Sequence, residues 1–263
     1  MAKKDSTKKT LLVALGICFV ASILVSTVAV TLKPIQDNNK KIDLLTNVLV
    51  AGDLYTEGAD PKKLFDENIE TQIVDLASGQ FLDKDKYNAD LDPESFNIIG
   101  LANSDEYGKE IPAKLDKAGI KRQPKYMIVY IVNDENGVDK YILPVYGKGL
   151  WSTMFGFMAL DKDLRTIEGF TFYEHGETPG LGGEVDNPKW KAQWKGKQAF
   201  DENWNISIQV IKGLVDPDGP KANSQIDGLS GSTLTTRGVD ELVKFWLGDQ
   251  GYGPFFKNLR GNI

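Results

Sequence analysis

Between Leu11 and Leu32 lie 22 consecutive residues without a charged side chain, interrupted only by Gly16 and the hydroxyls of Ser22, Ser26, Thr27 and Thr31. At 1.5 Å per residue a helix of that length reaches about 33 Å, enough for the roughly 30 Å hydrocarbon core of a bilayer. Such a run restricts everything downstream, because the rest of the chain must fold on one side of a membrane. Lys3, Lys4, Lys8 and Lys9 precede it against a single acid, Asp5. Basic residues favour the cytoplasmic flank, which puts residues 1–10 in the cytoplasm and the remainder outside. A cleaved signal peptide is the rival, but its apolar core is normally roughly 7–15 residues. The small-x-small triplet Thr27-Val28-Ala29 also lies inside the run, and Cys18 follows Ile17 in mid-span, unlike a lipoprotein cysteine. The expected arrangement is an uncleaved single-pass anchor over residues 11–32, with Cys18 an inert lipid-facing or helix-contact residue.

Beyond the span, Pro34 is expected to end the helix, and Ile42, Leu45, Val48 and Leu49 predict a short amphipathic helix closing before Gly52. Asp60-Pro61 predicts a helix start, with Leu64, Phe65, Ile69, Ile73 and Val74 as its apolar face and Ser78-Gly79 as its end. Residues 80–120 read as loops with one helix near Leu115. Residues 33–120 are thus expected to be the mainly helical part of the soluble domain. From Tyr126 the period changes: Tyr126–Val132, a hairpin turn at Asn136-Gly137, Tyr141–Tyr146, Met154–Leu160, a turn at Asp161-Lys162-Asp163, and Thr166–Tyr173. Asn187-Pro188 opens a short helix containing Trp190 and Trp194. Ile206–Ile211 predicts another strand, Pro217–Pro220 a turn region, and residues from about Thr235 to Leu247 a helix. The plan is α+β, an antiparallel sheet with flanking helices in an extracytoplasmic domain, with residues 121–263 as its functional part.

Composition enters by exclusion. The net charge of −6 argues against nucleic acid, which selects basic surfaces. One cysteine and one histidine exclude a disulfide framework, a Cys/His zinc site and an iron–sulfur cluster assembled within this chain. Redox chemistry here would need an organic cofactor or a metal shared with a partner.

Two stretches carry chemistry. Asp227-Gly-Leu-Ser-Gly-Ser-Thr-Leu-Thr-Thr236 puts two glycines and five hydroxyls between a strand-like run and a helix. Gly228 and Gly231 permit a tight turn, and the helix start offers unpaired amides and a positive dipole end to a phosphate. The plain alternative is capping, for which Thr236 ahead of Val239, Leu242 and Val243 would serve. Glu174-His-Gly-Glu-Thr-Pro-Gly-Leu-Gly-Gly-Glu184, with four glycines and a proline, is an irregular loop with exposed amides that suit a flavin ring or, equally, a surface loop without ligand. His175 reads as solvated rather than as a catalytic base, with no Gly-x-Ser-x-Gly elbow in support. Glu177 and Glu184 read as loop caps or salt-bridge partners before they read as a catalytic pair. Gly147–Met154 sets a flexible turn beside Trp151, a residue either for stacking on a ring or for the core.

Asp227-Gly-Leu-Ser-Gly-Ser-Thr233 resembles the flavinylation motif Asp-x-x-Ser/Thr-Gly-Ala-Thr of the covalent FMN-binding domains, in which a flavin transferase joins FMN to the last threonine by a phosphodiester. Ser232 stands where that family usually has alanine. The Glu177–Gly182 run is similar to the same family's Glu-Thr-Pro-Gly-Leu-Gly loop. Together with Gly-Leu-Trp-Ser at 149–152 and the single span, the likeness extends over the whole chain to the NqrC family, the C subunits of Na+-translocating NADH:quinone oxidoreductases. The G subunit of the Rnf complex shares both flavin motifs. The resemblance implies covalent FMN on Thr233, with Asp227, Ser230, Gly231, Ser232, Leu234 and Thr235 around it. It also implies contacts from Glu177, Thr178, Gly180, Leu181, Gly182, Trp151 and Ser152, and no metal. It further implies the A, B, D, E and F subunits as partners, a bacterial inner membrane, and a redox component without independent catalysis. A membrane-tethered binding or scaffold module without a cofactor is the alternative from another class.

Overall fold

The computed structural model describes residues 6–135 and 137–261. The chain divides at Leu44/Leu45 into two compact units. Helix α1, Thr7–Ala51, supplies the first unit and enters the second with its last seven residues. Its most apolar 18-residue window has a mean hydropathy of 2.6 and no part buried against protein, as a lipid-facing span requires. Thr27 Oγ1 donates to the Ile23 carbonyl (2.8 Å) and Thr31 Oγ1 to that of Thr27 (2.9 Å). These two of the hydroxyls that interrupt the apolar run are therefore satisfied by their own helix. The expected break at Pro34 does not occur, and the short helix expected around Ile42–Leu49 is the end of α1. Proline removes one N–H and crowds the carbonyl four residues before it. Pro34 lies just beyond the apolar run, exposed, where water can take up the freed group.

The second unit is built on a five-stranded antiparallel sheet whose strands lie side by side in chain order. Its strands are β1 (Ile69–Asp75), β4 (Tyr126–Asp134), β5 (Gly137–Lys148), β6 (Thr153–Asp161) and β7 (Ile167–Glu174). The last four form the meander expected from Tyr126 onward. Asn136 of the predicted hairpin turn lies outside the described residues, while Gly137 opens β5 at φ +113°. Helix α2 (Pro61–Asn68) starts as predicted, with Asp60 accepting from the N–H of Lys62 at 3.0 Å. It stops eight residues in, and the rest of its supposed apolar face becomes β1, which pairs with β4 from Ile69↔Val132 to Asp75↔Tyr126. Ile69, Ile73 and Val74 suit either period, and the β-branched run finds a partner in the edge of β4.

Residues 33–120 are consequently not mainly helical. Within residues 80–120 the α-helix is α3 (Ile98–Asn103), whereas Leu115 sits in a turn. β2 (Gly108–Glu110) pairs with β3 (Arg122–Pro124), so the boundary expected at 120/121 cuts through paired strands. The strand expected over Ile206–Ile211 contracts to β8 (Gln209–Val210), parallel to β9 (Gln225–Ile226) and outside the main sheet.

One face of the sheet carries Met127, Val129, Leu143, Val145, Met158 and Phe170. Helix α5 (Thr233–Leu247) covers it with Val239, Leu242, Val243 and Trp246. Trp246 is fully buried and its indole N–H donates to the Tyr146 carbonyl at 2.7 Å. Helix α4 (Pro188–Ala192) buries Trp190, and Trp194, just past its end, stacks on Phe170 with ring centroids 4.2 Å apart. Helix α6 (Gly253–Gly261), unforeseen in the sequence, adds Phe255 and Phe256. The opposite face takes Phe65 against Tyr130 (5.7 Å), and Gly169 leaves room for the Ala51 backbone. Val210 N–H donates to Asp240 Oδ1 at 3.0 Å, tying the β8–β9 pair to α5. Since β9 runs directly into Asp227, that bond fixes the approach to the hydroxyl-rich turn. Replacement of Trp246 by alanine empties the centre of this layer, and we expect a loss of about 3–5 kcal/mol, read from urea unfolding of the detergent-solubilised chain.

Candidate functional site

The five hydroxyls between Ser230 and Thr236 have different fates. Thr236 Oγ1 accepts the buried N–H of Leu229 at 2.9 Å and closes the turn. Thr235 Oγ1 donates to Glu177 Oε2 at 2.6 Å, and Ser232 Oγ lies 3.4 Å from Thr235 Oγ1, both residues being buried. Ser230 and Thr233 are exposed, and their hydroxyls meet no partner among the described residues. The extra hydroxyl of Ser232 is thus turned into the protein, and Thr233 stands free as the first residue of α5. That helix begins two residues earlier than expected, with Ser232 rather than Thr236 in the capping position and no side-chain cap. Gly231 bends the chain at φ +71°. The N–H groups of Ser230, Gly231, Thr233, Leu234 and Thr235 find no acceptor among the described residues. Two open hydroxyls over five open amides at a helix N-terminus form a donor set suited to a phosphate.

Asp227 serves a different purpose. Its Oδ1 accepts from Val215 N–H (2.7 Å), its N–H donates to Gln193 (3.0 Å), and its carbonyl accepts from the Trp190 indole (2.8 Å). It braces the turn against α4 and the 213–215 loop, partners that no local pattern announces.

Glu177 is the joint between the two predicted stretches. Its Oε1 accepts from Trp151 N–H (2.9 Å) and Ser152 N–H (3.3 Å), and its Oε2 from Leu150 N–H (3.2 Å) and Thr235 Oγ1. Burial by itself raises the pKa of this carboxyl, but the Thr235 hydroxyl and the three amides outweigh burial and hold it below its ordinary value. Ser152 Oγ accepts Gly176 N–H at 2.6 Å, which fastens the same loop again. His175 is not simply solvated: its Nε2 meets Asp186 Oδ2 at 2.7 Å while Nδ1 accepts Glu177 N–H at 3.2 Å. Glu184 accepts from Asn187 Nδ2 (2.8 Å), so the two glutamates act as loop fasteners.

Within the loop, Leu181 N–H is spent on the Thr178 carbonyl, whereas the amides of Thr178, Gly180 and Gly182 have no acceptor among the described residues. A Cβ on Gly182 would stand 2.6 Å from Thr235 Oγ1, so glycine permits the close approach of loop and helix. Trp151 is 67% exposed rather than part of the core, and Leu181 and Leu234 are also exposed. Leu181 lies against Gly231, which puts it beside the hydroxyl-rich turn. Leu150 and Leu214 are further exposed apolar residues on loops tied to this site, recognisable only once Glu177 and Asp227 are seen holding those loops.

Residues 149–248 match the FMN-binding domain family. The chain is 48% identical to the C subunit of the Na(+)-translocating NADH-quinone reductase of Pseudomonas aeruginosa, covering 99% of this chain and 98% of that one. To the C subunit of the Vibrio parahaemolyticus reductase it is 42% identical, covering 98% and 97%. Among solved structures it resembles NqrC of Shewanella oneidensis (TM-score 0.76, 33% identity, 85% of this chain and 99% of that one). It also resembles the corresponding subunit of Parabacteroides distasonis (TM-score 0.64, 26% identity, 85% and 96%).

A carboxylate whose folded pKa is depressed stabilises above its unfolded pKa, and that contribution fades as pH falls through the folded value. Acidification below the ordinary value of 4.5 should therefore erode stability in part through Glu177. We expect Glu177→Gln to cost about 1–3 kcal/mol at neutral pH, because an amide cannot accept all four bonds. Its urea midpoint should also fall less steeply than the wild type's below pH 4.5.

Proposed function

The chain belongs to the NqrC family, the C subunits of Na(+)-translocating NADH-quinone reductases, and from that premise we propose that its FMN is held by a phosphodiester to Thr233 Oγ1. It is the membrane-anchored FMN electron-transfer subunit of such a reductase, a component of an oxidoreductase rather than a complete catalyst. The observation that carries the attachment site is the isolation of Thr233: an exposed hydroxyl without a partner among the described residues, on the first residue of α5, amid open amides, inside the span that matches the FMN-binding family. Ser230 is the other open hydroxyl and serves as a hydrogen-bond donor to the phosphate. A phosphodiester keeps one negative charge, which the N-terminal amides and dipole of α5 favour.

The flavin supplies the one-electron redox chemistry that protein side chains lack. The chain's own residues hold and enclose it. Leu181, Leu234 and Trp151 offer apolar contact, Ser152 keeps the loop in place, and the free amides of Thr178, Gly180 and Gly182 offer donors for ring carbonyls. Covalent attachment suits a domain outside the cytoplasm, where a lost cofactor would not be replaced. The lysines at 3, 4, 8 and 9 support that side of a bacterial inner membrane. A flavin transferase matures the protein, and the A, B, D, E and F subunits complete the complex.

Coexpressed with a flavin transferase, the full chain should yield a peptide spanning Asn223–Arg237 heavier by one esterified FMN, and its denatured gel band should fluoresce under ultraviolet light. Thr233→Ala should give the unmodified mass and a dark band while remaining folded. Ser230→Ala should keep the modification. A flavin that stays attached through denaturation of Thr233→Ala overturns the assignment.

A further inference from the structure

Glu177 is set apart from the other residues of this site by how completely its carboxylate is used. Two carboxylate oxygens offer about four acceptor positions, and the chain itself fills four: the amides of Leu150, Trp151 and Ser152 and the Thr235 hydroxyl. Nothing is left over for a donor on a ligand. The residue is 5% exposed, and no lysine, arginine or histidine forms an ion pair with it among the described residues. Among the described residues its charge is balanced by dipoles, from three amides, one hydroxyl and the first turn of α5. Hydrogen bonds of this kind favour the ionised form, so the site keeps a fixed negative charge at neutral pH.

The three segments it ties together each carry groups that the FMN reading assigns to the cofactor. Leu150–Ser152 contributes Trp151, the 176–184 loop contributes Leu181 and the open amides, and Thr235 is two residues from the ester position. Gly149 and Gly182 let the segments close on the carboxylate, since a Cβ at either would stand within 2.9 Å of a Glu177 oxygen.

We propose that Glu177 is the positioning residue of this site, a buried, hydrogen-bonded charge with no counter-ion among the described residues, which orients the flavin-binding segments and lowers the reduction potential of the flavin without touching it. This rests on the FMN reading above, though it does not depend on the bond to Thr233. Adding an electron beside a fixed anion in a poorly screened site costs more than adding it beside a neutral group. The hydrogen bond from Thr235 partly offsets that anion. Removing the charge and removing the hydroxyl should therefore move the potential in opposite directions.

The test uses the full chain, coexpressed with a flavin transferase and purified in detergent, as wild type, Glu177→Gln, Thr235→Val and Thr235→Ser. FMN stoichiometry, fluorescence of the denatured band, visible circular dichroism and the flavin midpoint potential are measured on each. We expect Glu177→Gln to shift the midpoint positive, Thr235→Val to shift it negative with an altered dichroism spectrum, and Thr235→Ser to restore wild-type values. Should Glu177→Gln fail to accumulate, Thr235→Val decides alone, because it keeps the carboxylate and its three amide bonds. FMN lost from a folded Thr235→Val but kept by Thr235→Ser also supports the positioning role. Loaded variants with the wild-type midpoint and spectrum overturn it, as do shifts of the same sign in both. A dark denatured band from the wild type refutes covalent attachment and leaves the potential measurement valid on bound FMN.

Discussion

Four hydrogen bonds onto one buried carboxylate make a site out of pieces that would otherwise be separate loops. Glu177 gathers the turn after β5, its own loop and the start of α5, and each bond to an ionised acceptor is stronger than a neutral one. Burying a charge is costly unless it is well bonded, so each bond removed from the set destabilises the convergence. The rest of the domain meets the conditions for that convergence. The sheet holds β5 and β7 at fixed spacing, α5 lies across it on Val239, Leu242 and Trp246, and Asp240 and Asp227 fix the chain as it enters the turn.

The parts readable from the sequence are those decided locally. An uncharged run of sufficient length, an Asp-Pro helix start and a four-strand meander all follow from nearest-neighbour chemistry. The parts that escaped are decided by distant partners. Ile69–Asp75 carries apolar residues at spacings compatible with helix and strand alike, and only the open edge of β4 resolves it. Pro34 is a helix breaker by rule, yet it costs little where nothing packs against it. Gln209 and Val210 form a strand only because Gln225 and Ile226 run beside them.

The site shows the same division. Thr233 can be picked out by its place in a motif, but its isolation cannot, since the partners that occupy Ser232, Thr235 and Thr236 come from Thr235, Glu177 and Leu229. Trp151 and His175 each depart from what is common for their residue type: the tryptophan is exposed, and the histidine is bracketed by Asp186 and the Glu177 amide. The Glu177 carboxylate holds the backbone on which Trp151 sits, and the Glu177 N–H and Asp186 hold the His175 ring.

The uneven fate of the five hydroxyls is a property of the folded chain rather than of the segment that carries them. An unfolded segment with this sequence would display every one of them alike. Once the sheet, α5 and the glutamate have come together, three are withdrawn and the choice is nearly made. It is the fold, more than the string of letters, that narrows five equivalent oxygens to the two that stay accessible, on Ser230 and Thr233.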